Sequence, residues 1–191
     1  MKRIFFLIPT RTIVMVSVIL LVSGNIFGQK VFTKNGNISF FSKSPLENIS
    51  AENNQVVSIL NKQTGDYQFS VLIKGFHFKK ALMEEHFNES YLESDKFPKA
   101  VFKGVLENIA AIDFTKDGVY RINVTGDLTI HGVTNKITAP GIFTIKAGRV
   151  IANSLFKVKT ADYKIKIPTL VKDNIAEVIE INVSCVYNSS I

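Results

Sequence analysis

From about residue 37 onward, apolar and polar side chains mostly alternate, the period of strands with one face in a core and the other in water. Residues 119–130 show it most clearly, with Ile122, Val124, Leu128 and Ile130 against Arg121, Asn123, Thr125, Asp127 and Thr129. The same period places Ile38 with Phe40, then Tyr67, Phe69, Val71 and Ile73, and Phe102 with Leu106. Ile137, Ala139, Phe143 and Ile145 share a face of the next segment, and residues 150–160 and 176–187 follow. Turn-forming residues at 34–36, 64–66, 116–118 and 147–148 separate the runs, with glycine supplying positive φ and Asn or Asp tolerating it. The pattern predicts an all-β domain of about eight antiparallel strands joined mostly by hairpins.

One stretch departs from the period. Leu82, Met83, His86 and Phe87 stand at helical spacing among good helix formers, which predicts a short helix over residues 79–90. Pro98 marks the return to extended chain. An all-β chain with one inserted helix folds as a sandwich or as a closed barrel. Pro140 and Gly141, inside a long predicted strand, suit a bend or bulge where a barrel wall turns. Closure also removes sheet edges, so the barrel is favoured over the sandwich.

Composition changes this picture at the N-terminus. Lys2, Arg3 and Arg11 precede an apolar run from Ile13 to Val22, followed by Ser23, Gly24 and Asn25. This is the layout of a secretory signal peptide, residues 1–28, cleaved before Gln29 or, as second choice, before Asn25. The alternative is an uncleaved anchor, for which the apolar run is short. Residues 29–191 then form a single domain, periplasmic or secreted. Loss of the three basic residues lowers the net charge from +7 to +4. No lysine-rich cluster interleaved with aromatics points to a nucleic acid, while the mild positive excess allows transient contact with anionic lipid. Cys185 is the single cysteine, in phase with Ile179, Ile181 and Val183, and reads as a buried structural thiol. An exposed sheet edge or that thiol would be the routes to a homodimer.

The chain offers no catalytic or metal-binding motif. His77, His86 and His131 lack metal-ligand spacing, and no nucleophile elbow, phosphate loop or dinucleotide fingerprint is present. No cofactor is expected. The acids at Glu84, Glu85, Glu89, Glu93 and Asp95 read as a solvated face, and a hydrolase or isomerase would have to use His77 or His86 with Glu85. Phenylalanine is abundant instead: 15 Phe and no Trp, several of them clustered around the helix as Phe76, Phe78, Phe87, Phe97 and Phe102. An amphipathic helix carrying Leu82, Met83 and Phe87 beside a barrel suits a lid over an apolar cavity.

Two motifs together resemble the YceI-like family. Residues 83–104 run from the helix into a Phe-Pro-x-x-x-Phe strand through Phe97, Pro98 and Phe102. Residues 126–134 then read Gly-Asp-Leu-Thr-Ile-His-Gly-Val-Thr, with Gly126, Leu128, Thr129, His131, Gly132, Val133 and Thr134 carrying the likeness. The resemblance covers roughly residues 31–187. It implies an extended lipocalin-like antiparallel barrel that holds a polyisoprenoid, an isoprenoid quinone or another long-chain lipid without covalent chemistry, in an exported protein. Residues 37–61 depart from the family's commonest opening, which is richer in His and Gly, and carry a polar run from Glu52 to Gln55. The expected cavity wall is Phe40, Phe69, Val71, Ile73, Phe76, Phe78, Phe102, Leu106, Val124, Leu128 and Ile130, gated by Leu82, Met83 and Phe87. His131, out of phase with Leu128 and Ile130, is expected at a strand end and turn, with a headgroup contact at the barrel mouth as its alternative role. A solid-cored β-sandwich that binds other surface components is the competing reading.

Overall fold

The computed structural model describes residues 29–190, so the expected signal peptide lies outside the described residues. Eight long strands form a closed antiparallel barrel: β1 (Lys30–Lys43), β2 (Asn48–Asn61), β3 (Asp66–Leu72), β5 (Lys99–Leu106), β6 (Gly118–Ile130), β7 (Val133–Lys146), β8 (Arg149–Lys159) and β9 (Val178–Tyr187). Two-residue strands β4 (His77–Phe78) and β10 (Ser189–Ser190) pair with β2 and β1. Each long strand pairs with its neighbour in the sheet, and β1 closes the ring by pairing with both β2 and β9. The barrel expected from the alternation is therefore the fold, and the sandwich is not.

Closure depends on a bend early in β1. The Lys-Asn-Gly run at 34–36, expected as a turn, instead lies inside the strand, where the pairing with β2 shifts register on both sides of Gly36. A side chain at Gly36 would stand 2.6 Å from the Cys185 sulfur and 3.2 Å from the Val56 carbonyl. Glycine allows β1 to press against β9 and β2 at once, and the bulge turns the strand. Pro140 and Gly141 show the opposite outcome: β7 runs through them in unbroken register with β6. They mark another feature of the wall. Below them β7 pairs with β8 from Gly141–Ser154 to Lys146–Arg149, and above Pro140 that ladder ends.

The antiparallel order sorts the connections into two ends. One end has the turn at 62–65, the loop at 107–117 and the Ala147–Gly148 turn. The other, here the mouth, carries the 44–47 turn, the His131–Gly132 turn and the two long connections, residues 73–98 and 160–177. Below the cavity, the end opposite the mouth is solid: Leu60, Phe143, Ile145, Val150, Cys185 and Tyr187 are all 2 % exposed or less. Within it the hydroxyls of Ser58, Tyr187 and Tyr67 form a chain with spacings of 2.7 and 2.9 Å, and Ser58 donates to the Gln68 carbonyl at 3.0 Å. Buried hydroxyls without partners would each cost about 1–3 kcal/mol, and this chain avoids that cost. Burial pushes the Tyr67 and Tyr187 hydroxyls far above their ordinary titration range, so the network stays neutral.

Two glycines shape the wall between β5 and β6. Gly104 and Gly126 face each other in register, and the ring of Phe102 lies over both. A methyl group at Gly126 would collide with the Lys103 carbonyl, the Gly104 Cα and the Phe102 ring. Gly126→Ala is therefore expected to cost about 1–3 kcal/mol of stability, the usual range for overpacking; chemical denaturation checks it, and an unchanged midpoint would contradict the packing described. Cys185 gives a second test. Burial raises its thiol to about 12, and it is fully buried. The folded protein is expected to resist a thiol reagent at pH 8 and to react only on unfolding, which also removes this thiol as a route to a disulfide-linked dimer.

Candidate functional site

The inward faces of the strands enclose an apolar cavity of about 350 Å³ that rises from Tyr67 and Phe143 to the mouth. Phe69, Val71, Phe102, Val124, Leu128 and Ile130 line it from β3, β5 and β6, as the alternation requires. Phe40 contributes from β1, and Ile73, Phe76 and Phe78 from the connection that follows β3. Twelve of the fourteen residues expected at the wall or gate do line the cavity, Met83 and Phe87 being the other two. Leu106 and Leu82 do not. Leu106 is buried in the solid core, one turn of the pleat too deep to reach the cavity. Leu82 faces solvent at 62 % exposure, because the helix turns Met83 and Phe87 inward instead.

That helix, α1 (Ala81–His86), is shorter than expected and widens into a π-helical turn at Phe87–Tyr91. Its inner face completes an aromatic cluster. Phe87 stacks on Phe40 at 5.5 Å between ring centroids and lies 5.6 Å from Phe76 and 5.0 Å from Phe78. Such contacts contribute about 0.5–1.5 kcal/mol per pair beyond burial and hold the helix as a roof over this side of the mouth. Glu84 accepts from the Phe78 amide at 3.1 Å, and Lys80 pairs with Glu47 at 2.6 Å, tying α1 to β4 and to the 44–47 turn.

The other half of the cavity was less visible in the sequence. Phe156, Val158, Ile181 and Val183 line it from β8 and β9. The 160–177 connection, built of two 3-10 turns at Thr160–Tyr163 and Thr169–Asn174, sends Ile165, Ile167, Val171 and Ile175 into it. This second roof segment went unpredicted. Its signal was present: Ile165 and Ile167 alternate up to Pro168, after which Val171 and Ile175 stand four apart. The Ala176 amide donates to Ser42 Oγ at 2.9 Å and pins the segment to β1.

His131 joins the two roofs. It forms the β6–β7 turn with Gly132, both at positive φ (51° and 72°), as a tight two-residue hairpin requires. Histidine tolerates that region better than most residues, and a side chain at Gly132 would strike the Phe97 ring at 2.5 Å. The imidazole stands 2.6 Å from Glu93 through Nε2 and 3.2 Å from the Tyr163 carbonyl through Nδ1, while Phe97 packs edge-on at 4.6 Å. Glu93 belongs to the helical connection and Tyr163 to the 160–177 connection. Both partners are acceptors, so the ring satisfies both only with a proton on each nitrogen. With both nitrogens beside acceptors and the ring outside the cavity lining, His131 holds the expected turn position.

The remaining polar candidates do not converge. His77 lies 3.7 Å from Glu84 with its side chain 66 % exposed, Glu85 is exposed, and His86 lies on the cavity lining, as does Glu47, whose carboxylate pairs with Lys80. Among the described residues no group of three His, Cys, Asp or Glu is placed to hold a metal.

The His131 clasp has a titration consequence. The hydrogen bond from His131, reinforced by the charges of Lys96, His131 and Lys166, holds the Glu93 carboxyl below the usual glutamate range. A depressed carboxyl stabilises above its unfolded pKa, and that stabilisation is lost as pH falls through the folded value. The Phe97 ring resonances are therefore expected to keep their folded shifts through the ordinary glutamate range and to move only at lower pH. In Glu93→Gln that acid step should vanish; its persistence would assign the step to another group.

Residues 21–187 match the family model described as the YceI-like domain. No curated protein matches the sequence. Solved structures do share the fold. A polyisoprenoid-binding domain from Saccharophagus degradans, implicated in plant cell wall breakdown, superposes with a TM-score of 0.73 at 13 % identity, covering 84 % of this chain and 98 % of that one. BcnA of Burkholderia cenocepacia gives 0.64 at 15 % identity over 80 % and 96 % of the two chains. The YceI protein of Campylobacter jejuni gives 0.55 at 17 % identity over 71 % and 80 %. With the family model matched along nearly the whole barrel, and the helix, the Phe-Pro strand and the His-Gly turn in place, this chain belongs to the YceI-like family.

Proposed function

We propose that this protein is an exported carrier or store for a long amphiphile, a polyisoprenoid, isoprenoid quinone or similar lipid, held by its apolar tail inside the barrel. The observation that carries this reading is the cavity itself: it is lined almost wholly by aliphatic and aromatic side chains, roofed by two connections, and closed at the far end by a packed core. Its volume falls in the range of small-molecule sites, and the tail enters it from the mouth while the polar end stays near the rim. Burial of apolar surface contributes roughly 25 cal/mol per Å², so a few hundred Å² of tail supply on the order of several kcal/mol before the costs of association. The polyisoprenoid-binding relative from Saccharophagus degradans supports the choice of ligand class. Export rests on the N-terminal sequence pattern, and the task of the bound lipid, whether transport, storage or stress protection, is part of the same proposal. Catalysis is not proposed: of the two candidates for acid–base work on the lining, Glu47 is paired with Lys80 and not with His86.

Mass spectrometry of protein purified without detergent, intact and after organic extraction, is the direct test. A stoichiometric long-chain amphiphile is expected; a ligand-free protein that also takes up no added isoprenoid would sink the proposal. Leu128→Asp, which places a carboxylate in the wall beside Phe102, is expected to abolish retention while the barrel still folds at neutral pH. Full lipid content in that folded variant would remove Leu128 from the binding surface.

A further inference from the structure

The barrel wall is incomplete on one side. β7 pairs with β6 up to the His131–Gly132 turn, and β8 pairs with β9 up to Lys159, but β7 and β8 pair with each other only from Lys146–Arg149 to Gly141–Ser154. Pro140 sets the point where that ladder stops. Its carbonyl accepts from Ser154 Oγ at 2.7 Å, so its backbone faces β8, and a proline has no N–H to offer there. Alternate residues of a strand turn both backbone groups to the same side. Thr134, Lys136 and Thr138 of β7 therefore face the break, as do Leu155, Lys157 and Lys159 of β8. Among the described residues no ladder or backbone bond pairs these groups across it.

The break opens into the lipid cavity. Ile137, Val158, Lys159 and Tyr163 line both the cavity and a cleft at the break, to which Asn135 and Asp162 add polar groups. The inward residues beside the break, Ile137, Phe156 and Val158, are only half-buried. Phe102, Val124 and Leu128 line the same cavity from the paired wall and are buried. Asn135 Nδ2 donates to the Asp162 carbonyl at 2.8 Å, so the Thr160–Tyr163 turn bounds the opening above, as the Ser154–Pro140 bond does below.

Two free strand edges invite a further strand, and proline and exposed lysines are the residues that discourage one. Pro140, Lys136, Lys157 and Lys159 occupy those positions here. Their charge is largely offset: Lys136 stands opposite Asp127 and Lys157 opposite Glu180 in register, and Asp162 lines the same cleft as Lys159. The opening thus offers unpaired hydrogen-bonding groups beside an apolar interior, with little net field.

We propose that the break between β7 and β8 is a lateral port of the lipid cavity, in which the polar end of the amphiphile lies. Its oxygen atoms accept from unpaired backbone N–H groups of the two edges and from Lys159, while the tail fills the cavity. Alcohols, phosphates and quinones share such acceptor oxygens. This rests on the lipid-carrying function proposed above, and it places the polar end at one side of the rim, beneath the 160–177 connection, and not between the two roofs.

The test is residue-resolved amide hydrogen exchange on the protein as the cell yields it, stripped of lipid on a hydrophobic resin and then loaded with geranylgeraniol, with loading read by mass spectrometry. In the empty protein the amides of Lys136, Thr138, Leu155 and Lys157 are expected to exchange fast, while those of Ile137 and Phe156, which face β6 and β9, stay protected. Loading is expected to slow the amides at the break about tenfold or more and to leave Glu85 and Glu89, on the helical connection, unchanged. A photoreactive phenylalanine in place of Lys136 should then cross-link to the lipid, and one in place of Glu85 should not. Amides at the break that are already protected in the empty protein, or that loading leaves unchanged, would overturn the port while the loading result still judged the cargo. Protection that rises with protein concentration instead of with lipid would overturn it in favour of a strand from a second copy. A protein that takes up no geranylgeraniol would reject the lipid-carrying reading and the port with it.

Discussion

Everything in this molecule depends on β1 reaching two partners at once. It pairs with β2 along its length and with β9 from Asn37 to Phe41, and without the second ladder the sheet would be an open, curled layer with two raw edges. The bend at Gly36 is what permits it. Cys185 fills the space that a Cβ would occupy, so the single thiol of the chain serves as packing at the seam. Once the ring is closed, the inward residues of eight strands must share one interior. An interior of this girth can be filled or left hollow, and the side chains decide which.

They decide differently at the two ends. Away from the mouth, large buried side chains such as Phe143, Ile145 and Tyr187 fill the interior, and the hydroxyls of Ser58, Tyr67 and Tyr187 are satisfied by one another and by the Gln68 carbonyl. Toward the mouth the inward side chains, large as many of them are, leave a cavity of about 350 Å³. The glycines at 104 and 126 let the Phe102 ring lie back against the wall instead of across the lumen. Two long connections, not the barrel strands, close the top: the first is held by the short β4–β2 pairing, the Phe87 cluster and the Lys80–Glu47 pair, the second by bonds such as that from the Ala176 amide to Ser42.

Much of this was readable from alternation. Period-two segments identified the strands, and because the inward phase is fixed once one face is known, Phe69, Val71, Phe102, Val124 and Leu128 fell on the cavity side. What alternation does not encode is depth along the barrel axis. Leu106 obeys the same phase as Phe102 and lies below the cavity, a difference set by how strands are staggered in three dimensions. Helical periodicity likewise gave the helix but not its rotation, so Met83 and Phe87 face inward as expected and Leu82 does not. The Lys-Asn-Gly run looked like a turn because the same φ freedom serves a bulge. The 160–177 connection escaped because its inward residues change spacing at Pro168 and match neither period for long.

His131 shows how a conspicuous residue can be structural without being inert. A histidine beside a glycine, between two good strands, invites a catalytic reading, but both ring nitrogens face acceptors supplied by other segments. The turn that carries it is fixed by thirteen paired positions of β6 and β7, so it is a rigid post. Glu93 and Tyr163 come from the two roofs, the second of which is also tied to β7 by the Asn135 bond to the Asp162 carbonyl. A group placed so cannot tighten one roof independently of the other: if the imidazole ring turns away, Glu93 loses its partner and the Tyr163 carbonyl loses its donor together.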